Sequence, residues 1–427
     1  EAATMADAVV VGGGIGAVRA AAALAAAGRS VVLLQEGPFV AGLAHPEIPV
    51  GLGISRWHSV PAWGREVKGL GSGLYVGGAV HRLPLSRAVL PTLFPATAVA
   101  GAAASWGRSR LEQELARLIG GGREVRTYRD YLQQRYGKPV VDRLFAPYCE
   151  RRFGSPDGVT ANVARDVHGS APDGITVAPS AGPLEELKAL VAGVEVRVGV
   201  TVTGLATGRV STDGGDVEGE VFVDLPPARV VALLGAAAPA GLREETAWLR
   251  SRHALEVTLT GGAELPFVTH VVDGPGQAFR FVRHALLPGN GSLQGRVSVQ
   301  FAVESNDPLW QAPDSTVVAA ALTSLDEVSP GASSVGACVQ RAADQHPVWV
   351  PTTAARMRRY SLGLSELGIT PVGRAGTFGP LGGEAEAEYL RAAIAGGESL
   401  RERMRRYVEP PVRPAEREVH LTDFAQT

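Results

Sequence analysis

The sequence predicts a mixed α/β fold: a parallel-sheet unit opens the chain and is interrupted by helical and antiparallel-sheet insertions. Three observations predict it. An apolar run, a cluster of glycines, an alanine-rich helix and a second apolar run follow one another at the N-terminus, within the roughly 30 residues of one βαβ unit. Apolar residues at helical spacing dominate from about 76 to 175. Period-two alternation dominates from 254 to 304.

The bulk composition sets the frame. With 427 residues, 45% of them hydrophobic and 20% charged, the chain is long enough for two packed domains or one large discontinuous fold. A net charge of −2 provides no electrostatic footprint for nucleic acid or an anionic membrane. The two cysteines, Cys149 and Cys338, lie far apart without metal-ligand spacing, so neither a disulfide framework nor a metal site is expected and a cytoplasmic location fits. No signal peptide is expected ahead of the first strand, and Glu1–Thr4 before Met5 reads as an extraneous leader. Val89–Gly107 carries only uncharged residues until its end, yet it is rich in Ala, Thr and Gly and contains Pro91 and Pro95. It reads as a loop leading into a short buried helix rather than an integral membrane segment. Surface docking on a membrane, or an apolar wall of a substrate pocket, stays open for it.

Taken in order, Ala8–Val11 is a buried parallel strand, Ala17–Ala27 a helix stopped by Gly28, and Ser30–Leu34 a second buried strand ending at Gln35-Glu36. Leu111–Leu118, Tyr128–Tyr136 and Val140–Phe145 have the apolar spacing of helices. Leu184–Val191 is helical, Val194–Val202 strand-like, Gly214-Gly215 a turn, and Val221–Asp224 a strand ending at Pro226-Pro227. In GRVSVQFAVE, Val297, Val299, Phe301 and Val303 alternate with Ser298, Gln300 and Ala302. With ALEVTLT and FVTHVV this predicts an antiparallel sheet with one face buried. Val317–Leu325 and Val335–Gln345 read as helices, Ile369–Val372 as a short strand, and Glu384 to Tyr407 as a long helix.

The segment VVVGGGIGAVRAA places Gly12, Gly14 and Gly16 between strand and helix. Glycine is needed there because the chain must turn sharply and its backbone must approach a pyrophosphate closely. First-turn N–H groups then face phosphate oxygens, assisted by the helix dipole. Glu36, at the end of the second strand, is placed to accept hydrogen bonds from an adenosine ribose, although a solvated strand-end acid would look the same. Strand, glycines, helix, second strand and terminal acid together predict a dinucleotide site of the Rossmann type, serving FAD or NAD.

Two internal segments bear on the choice. TYRDYLQQRYGKPVVDRLFAPYCERRFG, from Thr127 to Gly154, and QHPVWVPTTAARMRRYSLGLSELGITPVGRAGTF, from Gln345 to Phe378, resemble the FAD-dependent amine oxidase superfamily, which includes protoporphyrinogen oxidase, phytoene desaturase and UDP-galactopyranose mutase. The second segment is similar to the C-terminal FAD element of the mutase-like and protoporphyrinogen oxidase-like members, in which a strand, a Gly-Arg, a glycine and a helix N-terminus close over the flavin. The resemblance implies FAD as cofactor. It puts Gly373, Arg374 and Gly376 in that element, with Glu384 where relatives often place Asp, Gly42 as the surviving member of a Gly-Gly pair after the acid, and Val202 on the strand whose backbone holds adenine. An arginine beside a diphosphate supplies planar charge-assisted donors; the alternative for Arg374 is an ordinary surface arginine. The implied organisation is a discontinuous FAD-binding domain (1–75, 180–228 and 355–408), a substrate domain (76–179 and 229–354) and a C-terminal tail (409–427).

The chain departs from the family pattern at Ala41, at Ser180-Ala181 and at Gly379–Gly383. Three readings follow. The leading one is an oxidoreductase that oxidises a small organic molecule, apolar or cyclic, by hydride transfer to flavin. A redox-neutral mutase is the second, with Arg151, Arg152 and Arg280 as candidates for gripping a diphosphate. A flavoprotein fold acting as a non-redox or binding subunit is the third. No catalytic residue can be assigned. His45, His58, His253, His270 and His284 are scattered, Trp57, Trp63 and Tyr75 suit core packing or a pocket wall, and Asp130 and Glu150 read as solvated.

Overall fold

The computed structural model describes residues 3–36, 72–82, 89–94, 125–168, 191–283 and 295–373, less 262 and 275, together with short strands at Ser55–Trp57, Gly64–Glu66 and Ile175–Pro179 and single residues elsewhere. The predicted α/β class is what it shows. Strand β1 (Thr4–Val11) leads into helix α1 (Ile15–Ala26) and strand β2 (Val31–Gln35), so the opening βαβ unit is present. Every residue of β2 is buried, as a parallel strand covered on both faces requires. Ala17, Ala20 and Ala21 are at most 1% exposed, and their small side chains let α1 lie close on the sheet. Gly28, at φ 82°, ends the helix in a conformation costly for any residue with a Cβ.

The strands between are β3 (Ser55–Trp57), β4 (Gly64–Glu66), β5 (Ser72–Val76), β6 (Ala79–Arg82) and β7 (Ile175–Pro179). Then come β8 (Glu195–Val198), β9 (Val202–Ala206), β10 (Arg209–Thr212) and β11 (Gly215–Val223). After them come β12 (Ser251–Thr260), β13 (Val268–Val271), β14 (Arg280–Arg283), β15 (Arg296–Val303), β16 (Gly336–Pro347) and β17 (Ile369–Pro371). The first sheet has the order β8-β2-β1-β11-β10-β9, with β17 also beside β11. Its members β8, β2, β1, β11 and β17 run parallel, and β9-β10-β11 form an antiparallel meander. The second sheet has the order β16-β12-β15-β14-β13-β5-β6 and packs Leu255, Val257, Val299 and Phe301 against Val317, Ala321 and Leu325 of the helix Asp314–Val328. A small third sheet joins β3, β7 and β4.

Four expectations change. Val335–Gln345 is not a helix; it is most of β16, paired with β12 from Thr260–Gly336 to Ser251–Pro347. The backbone groups along the open side of β12 need partners, and satisfying them outweighs a weak local helical pattern. Val194–Val202 is not one strand. It breaks at Gly199 (φ 75°), where the Gly199 and Val200 amides turn onto the Gln35 carbonyl. In the second sheet both faces are buried rather than one: Ser298, Gln300 and Ala302 are as enclosed as the valines they alternate with. Asp130 is not simply solvated, since it closes a capping box with Thr127 at the start of the helix Tyr128–Tyr136. Val140–Phe145 is helical but contains a π-turn at Val141–Phe145. A short helix at Leu90–Leu93, with Leu93 and Phe94 buried, lies in the uncharged stretch. Among the described residues no helix is long and apolar enough to cross a membrane. The helices expected at 111–118 and 184–191 fall outside the described residues but for Leu111 and Val191, and the one at 384–407 falls wholly outside them.

Tyr360, in the helix Thr353–Glu366, is fully buried, and its hydroxyl has no hydrogen-bond partner among the described residues. An unsatisfied buried polar group costs about 1–3 kcal/mol. Tyr360→Phe, which keeps the ring and deletes the hydroxyl, is therefore expected to raise the urea midpoint, by about 1 kcal/mol of unfolding free energy. Tyr360→Ala is expected to lower it by about 3–5 kcal/mol through the cavity it leaves.

Candidate functional site

The glycine turn sits at the C-terminal edge of the first sheet. Gly14 is the N-cap of α1 and has no side chain with which to cap it. The first-turn amide of Ala17 nevertheless has an acceptor: the Asp224 carboxylate, whose Oδ2 lies 3.0 Å away in a buried contact. Asp224 follows β11, is 7% exposed, and donates its own amide to the Val11 carbonyl at 2.8 Å. A Cβ on Gly14 would lie 2.5 Å from Asp224 Oδ2, and one on Gly373 would strike the other carboxylate oxygen. Gly373 also needs glycine for its φ of 66°. The carboxylate is thus wrapped by the glycine turn on one side and Gly373 on the other.

At the end of β2 a second cluster forms. Glu36 Oε1 accepts the Val202 amide at 3.1 Å and Arg229 Nη2 at 2.7 Å, and Arg229 Nη2 also donates to the Val202 carbonyl at 3.3 Å. Arg229 is carried by the helix Pro227–Leu234, which starts directly after β11. Beside Glu36, Gln35 is fully buried, and neither polar atom of its side chain has a hydrogen-bond partner among the described residues.

A third cluster crosses the second sheet. His270, Arg280, Gln300, Glu256 and Gln340 stand in register on the successive strands β13, β14, β15, β12 and β16. Their side chains share one face of the pleat. Arg280 Nε donates to Gln300 Oε1 at 2.6 Å, and Gln300 Nε2 donates to Glu256 Oε2 at 3.0 Å. Tyr148 Oη and His270 Nδ1 lie 3.2 Å apart at the far end. Glu256 Oε1 and Gln340 Nε2, on neighbouring strands, are both buried without a partner. Burial pushes the Glu256 carboxyl up to about 7, against the opposing pull of hydrogen bonds from Ser298 and Gln300 and of the Arg280 charge. A carboxyl poised there can hold or release a proton near neutrality.

No protein-family model and no curated protein matches the chain in sequence. Solved structures match it in fold. A candidate protoporphyrinogen oxidase from Exiguobacterium sp. 255-15 superposes with a TM-score of 0.66 at 17% identity, covering 92% of this chain and 99% of its own. A reduced UDP-galactopyranose mutase superposes with a TM-score of 0.66 at 11% identity, covering 93% and 97%. A fatty acid isomerase from P. acnes, which produces CLA, gives 0.57 at 14% identity, covering 92% and 98%. The chain shares the fold of these structures.

In a Rossmann-type fold a dinucleotide runs along the C-terminal edge of the parallel sheet, with its diphosphate on the first turn of the opening helix. Here the frame is that of a dinucleotide site: Gly12 and Gly14 form the turn, Gly16 lies in the first turn of α1, Glu36 holds the Val202 amide at the end of β2, and the Gln35 amide beside them, without a partner among the described residues, has hydrogen bonds to offer. The diphosphate position does not fit as it stands, because the Asp224 carboxylate already holds the Ala17 amide. Gly42, Arg374 and Glu384, and the departures at Ala41, Ser180-Ala181 and Gly379–Gly383, lie outside the described residues. Among the described residues no group of His, Cys, Asp and Glu could hold a metal ion.

Sequence reasoning missed Asp224, Arg229 and Glu256. Asp224 carried a readable signal, a carboxylate at the end of a strand just before Pro226-Pro227. Arg229 carried none. Glu256 is the only charged residue in ALEVTLT, an odd occupant for a strand in a buried sheet.

Glu256 yields a pH prediction. Its folded value lies above its ordinary one of 4.5, so the folded chain holds a proton that the unfolded chain gives up. That contribution is fully present below 4.5 and is lost as pH rises through about 7. Wild type should therefore lose stability relative to Glu256→Gln between pH 5 and 8, by about 3 kcal/mol at most. Paired urea unfolding curves across that range read the gap; a gap independent of pH would refute it.

Proposed function

We propose that the chain is a FAD-dependent oxidoreductase that oxidises a small organic molecule. The carrying observation is the strand–glycine turn–helix frame, with Glu36 and Val202 brought together at the end of the adjacent strand. In this reading Gly12, Gly14 and Gly16 face the diphosphate, Glu36 the ribose and Val202 the adenine, and Gly42, Gly373, Arg374 and Glu384 complete the enclosure. FAD, when bound, supplies the acceptor for a two-electron oxidation. The chain supplies position: the row from His270 to Gln340 offers a buried line of donors and acceptors for orienting a substrate, ending in the unpartnered Glu256 Oε1 and Gln340 Nε2. The uncharged stretch 89–107 favours an apolar or cyclic substrate over a sugar nucleotide. The division into segments 1–75, 180–228 and 355–408 for the cofactor and 76–179 and 229–354 for the substrate is part of this proposal. So is a cytoplasmic setting, supported by two cysteines far apart in the chain.

In the mutase reading Arg151, Arg152 and Arg280 would grip a diphosphate, and each already makes hydrogen bonds within the chain. Arg151 donates to the carbonyls of Gly274, Gly276 and Ala278, Arg152 to the Tyr148 hydroxyl, and Arg280 to Gln300. A non-redox role for the fold is favoured by one observation, the Asp224 carboxylate at the diphosphate position.

Calorimetric titration decides between them. FAD is expected to bind, with a perturbed flavin absorbance, and NAD is not; binding of NAD alone would overturn the cofactor assignment. Glu36→Ala is expected to weaken FAD about tenfold through the lost ribose contact. Oxygen-dependent turnover of small organic substrates, rather than activity appearing only after dithionite reduction, is the expected outcome of a substrate screen.

A further inference from the structure

We infer that Asp224 is a built-in rival of the cofactor's diphosphate: its carboxylate occupies the anion seat at the first turn of α1, and FAD binds this chain only by displacing it. The inference rests on the FAD reading above and goes beyond it, because it assigns to one residue control over whether the site is open.

Four observations carry it. The first turn of a helix offers unsatisfied amides to an anion, and here Ala17's is taken by a carboxylate delivered from 207 residues away. The N-cap, Gly14, has no side chain, so Asp224 does the capping that a local Ser or Asp does elsewhere. The carboxylate is buried and touches both glycines that would lie closest to a diphosphate, Gly14 and Gly373. Its backbone is fixed by the Asp224 amide on the Val11 carbonyl, so only the side-chain torsions can move it aside. A diphosphate placed on the same turn would put like charges a few ångströms apart in a poorly hydrated pocket, an arrangement worth several powers of e in binding.

Asp224 therefore has two separable effects. It holds the turn in shape by accepting the Ala17 amide, which a neutral amide oxygen can also do. It repels a diphosphate, which only the charge does. Asp224→Asn keeps the first and removes the second. Asp224→Ser is the second variant, with a shorter neutral acceptor, should the Asn chain fail to fold.

The experiment is calorimetric titration of the purified 427-residue chain, wild type and variant, with FAD and separately with inorganic pyrophosphate, with far-ultraviolet circular dichroism as the check on folding. The expected result is FAD binding at least about tenfold tighter in Asp224→Asn than in wild type, equivalent to about 1.4 kcal/mol. Equal FAD affinity in the two folded proteins overturns the inference and leaves the FAD reading standing. If neither protein binds FAD but the variant gains pyrophosphate binding that wild type lacks, the seat and its occupant are upheld and the FAD reading falls. If the folded variant binds neither, both are overturned.

Discussion

The C-terminal edge of the first sheet depends on one close approach. The end of β11 meets the glycine turn after β1 and the segment after β17, three pieces of chain more than a hundred residues apart, with no space for a β-carbon between them. Gly12, Gly14 and Gly373 surround the Asp224 side chain or its carbonyl, and a Cβ on Gly376 would collide with the Val223 carbonyl. Because β11 sits between β1 and β17, this contact fixes where the opening helix points and where the segment after β17 leaves the sheet.

The second sheet solves a different problem. A sheet buried on both faces is normally apolar throughout, yet one face here carries Thr258, Ser298, Gln300, Glu256 and Gln340, all less than a tenth exposed. Some of these groups satisfy one another, as Thr258 and Ser298 do at 2.9 Å. Others do not, and each orphan subtracts from stability. Folded proteins tolerate such losses mainly where a site needs the polarity. The row running from His270 to Gln340 is therefore more informative about chemistry than the apolar face behind it, which does the work of holding the sheet on the helix Asp314–Val328.

The legible part of this molecule was the part governed by local rules. The glycines at 12 and 14 allow a sharp turn, the apolar run Val31–Leu34 of β2 reads as a covered strand, and Thr127 with Asp130 caps a helix; each is decided within a few residues. Glu36 and Val202 were each singled out from the sequence, and the structure joins them by a hydrogen bond. What escaped was decided across the fold. Whether 336–347 becomes helix or strand depends on the open side of β12, more than seventy residues earlier. Asp224 reads as a strand-end acid until the turn 207 residues before it is folded onto it. Arg229 and Glu256 owe their roles to partners that no spacing reveals.

The strand β16 has a further consequence, for how molecules of this protein meet one another. It is twelve residues long and, among the described residues, outermost in the second sheet, so its outer side is a template on which another chain could pair. Two features blunt it. The register with β12 slips between Arg252 and Ala254, opposite Asp344, which adopts a φ of 57° and aims its amide at the His253 ring. Such a bulge twists the edge and interrupts the ladder. Arg341, drawn off the strand by Asp314 and the Ala312 carbonyl, adds charge where a flat hydrophobic border would invite stacking. The strand that completes the second sheet is thus shaped against edge-to-edge pairing.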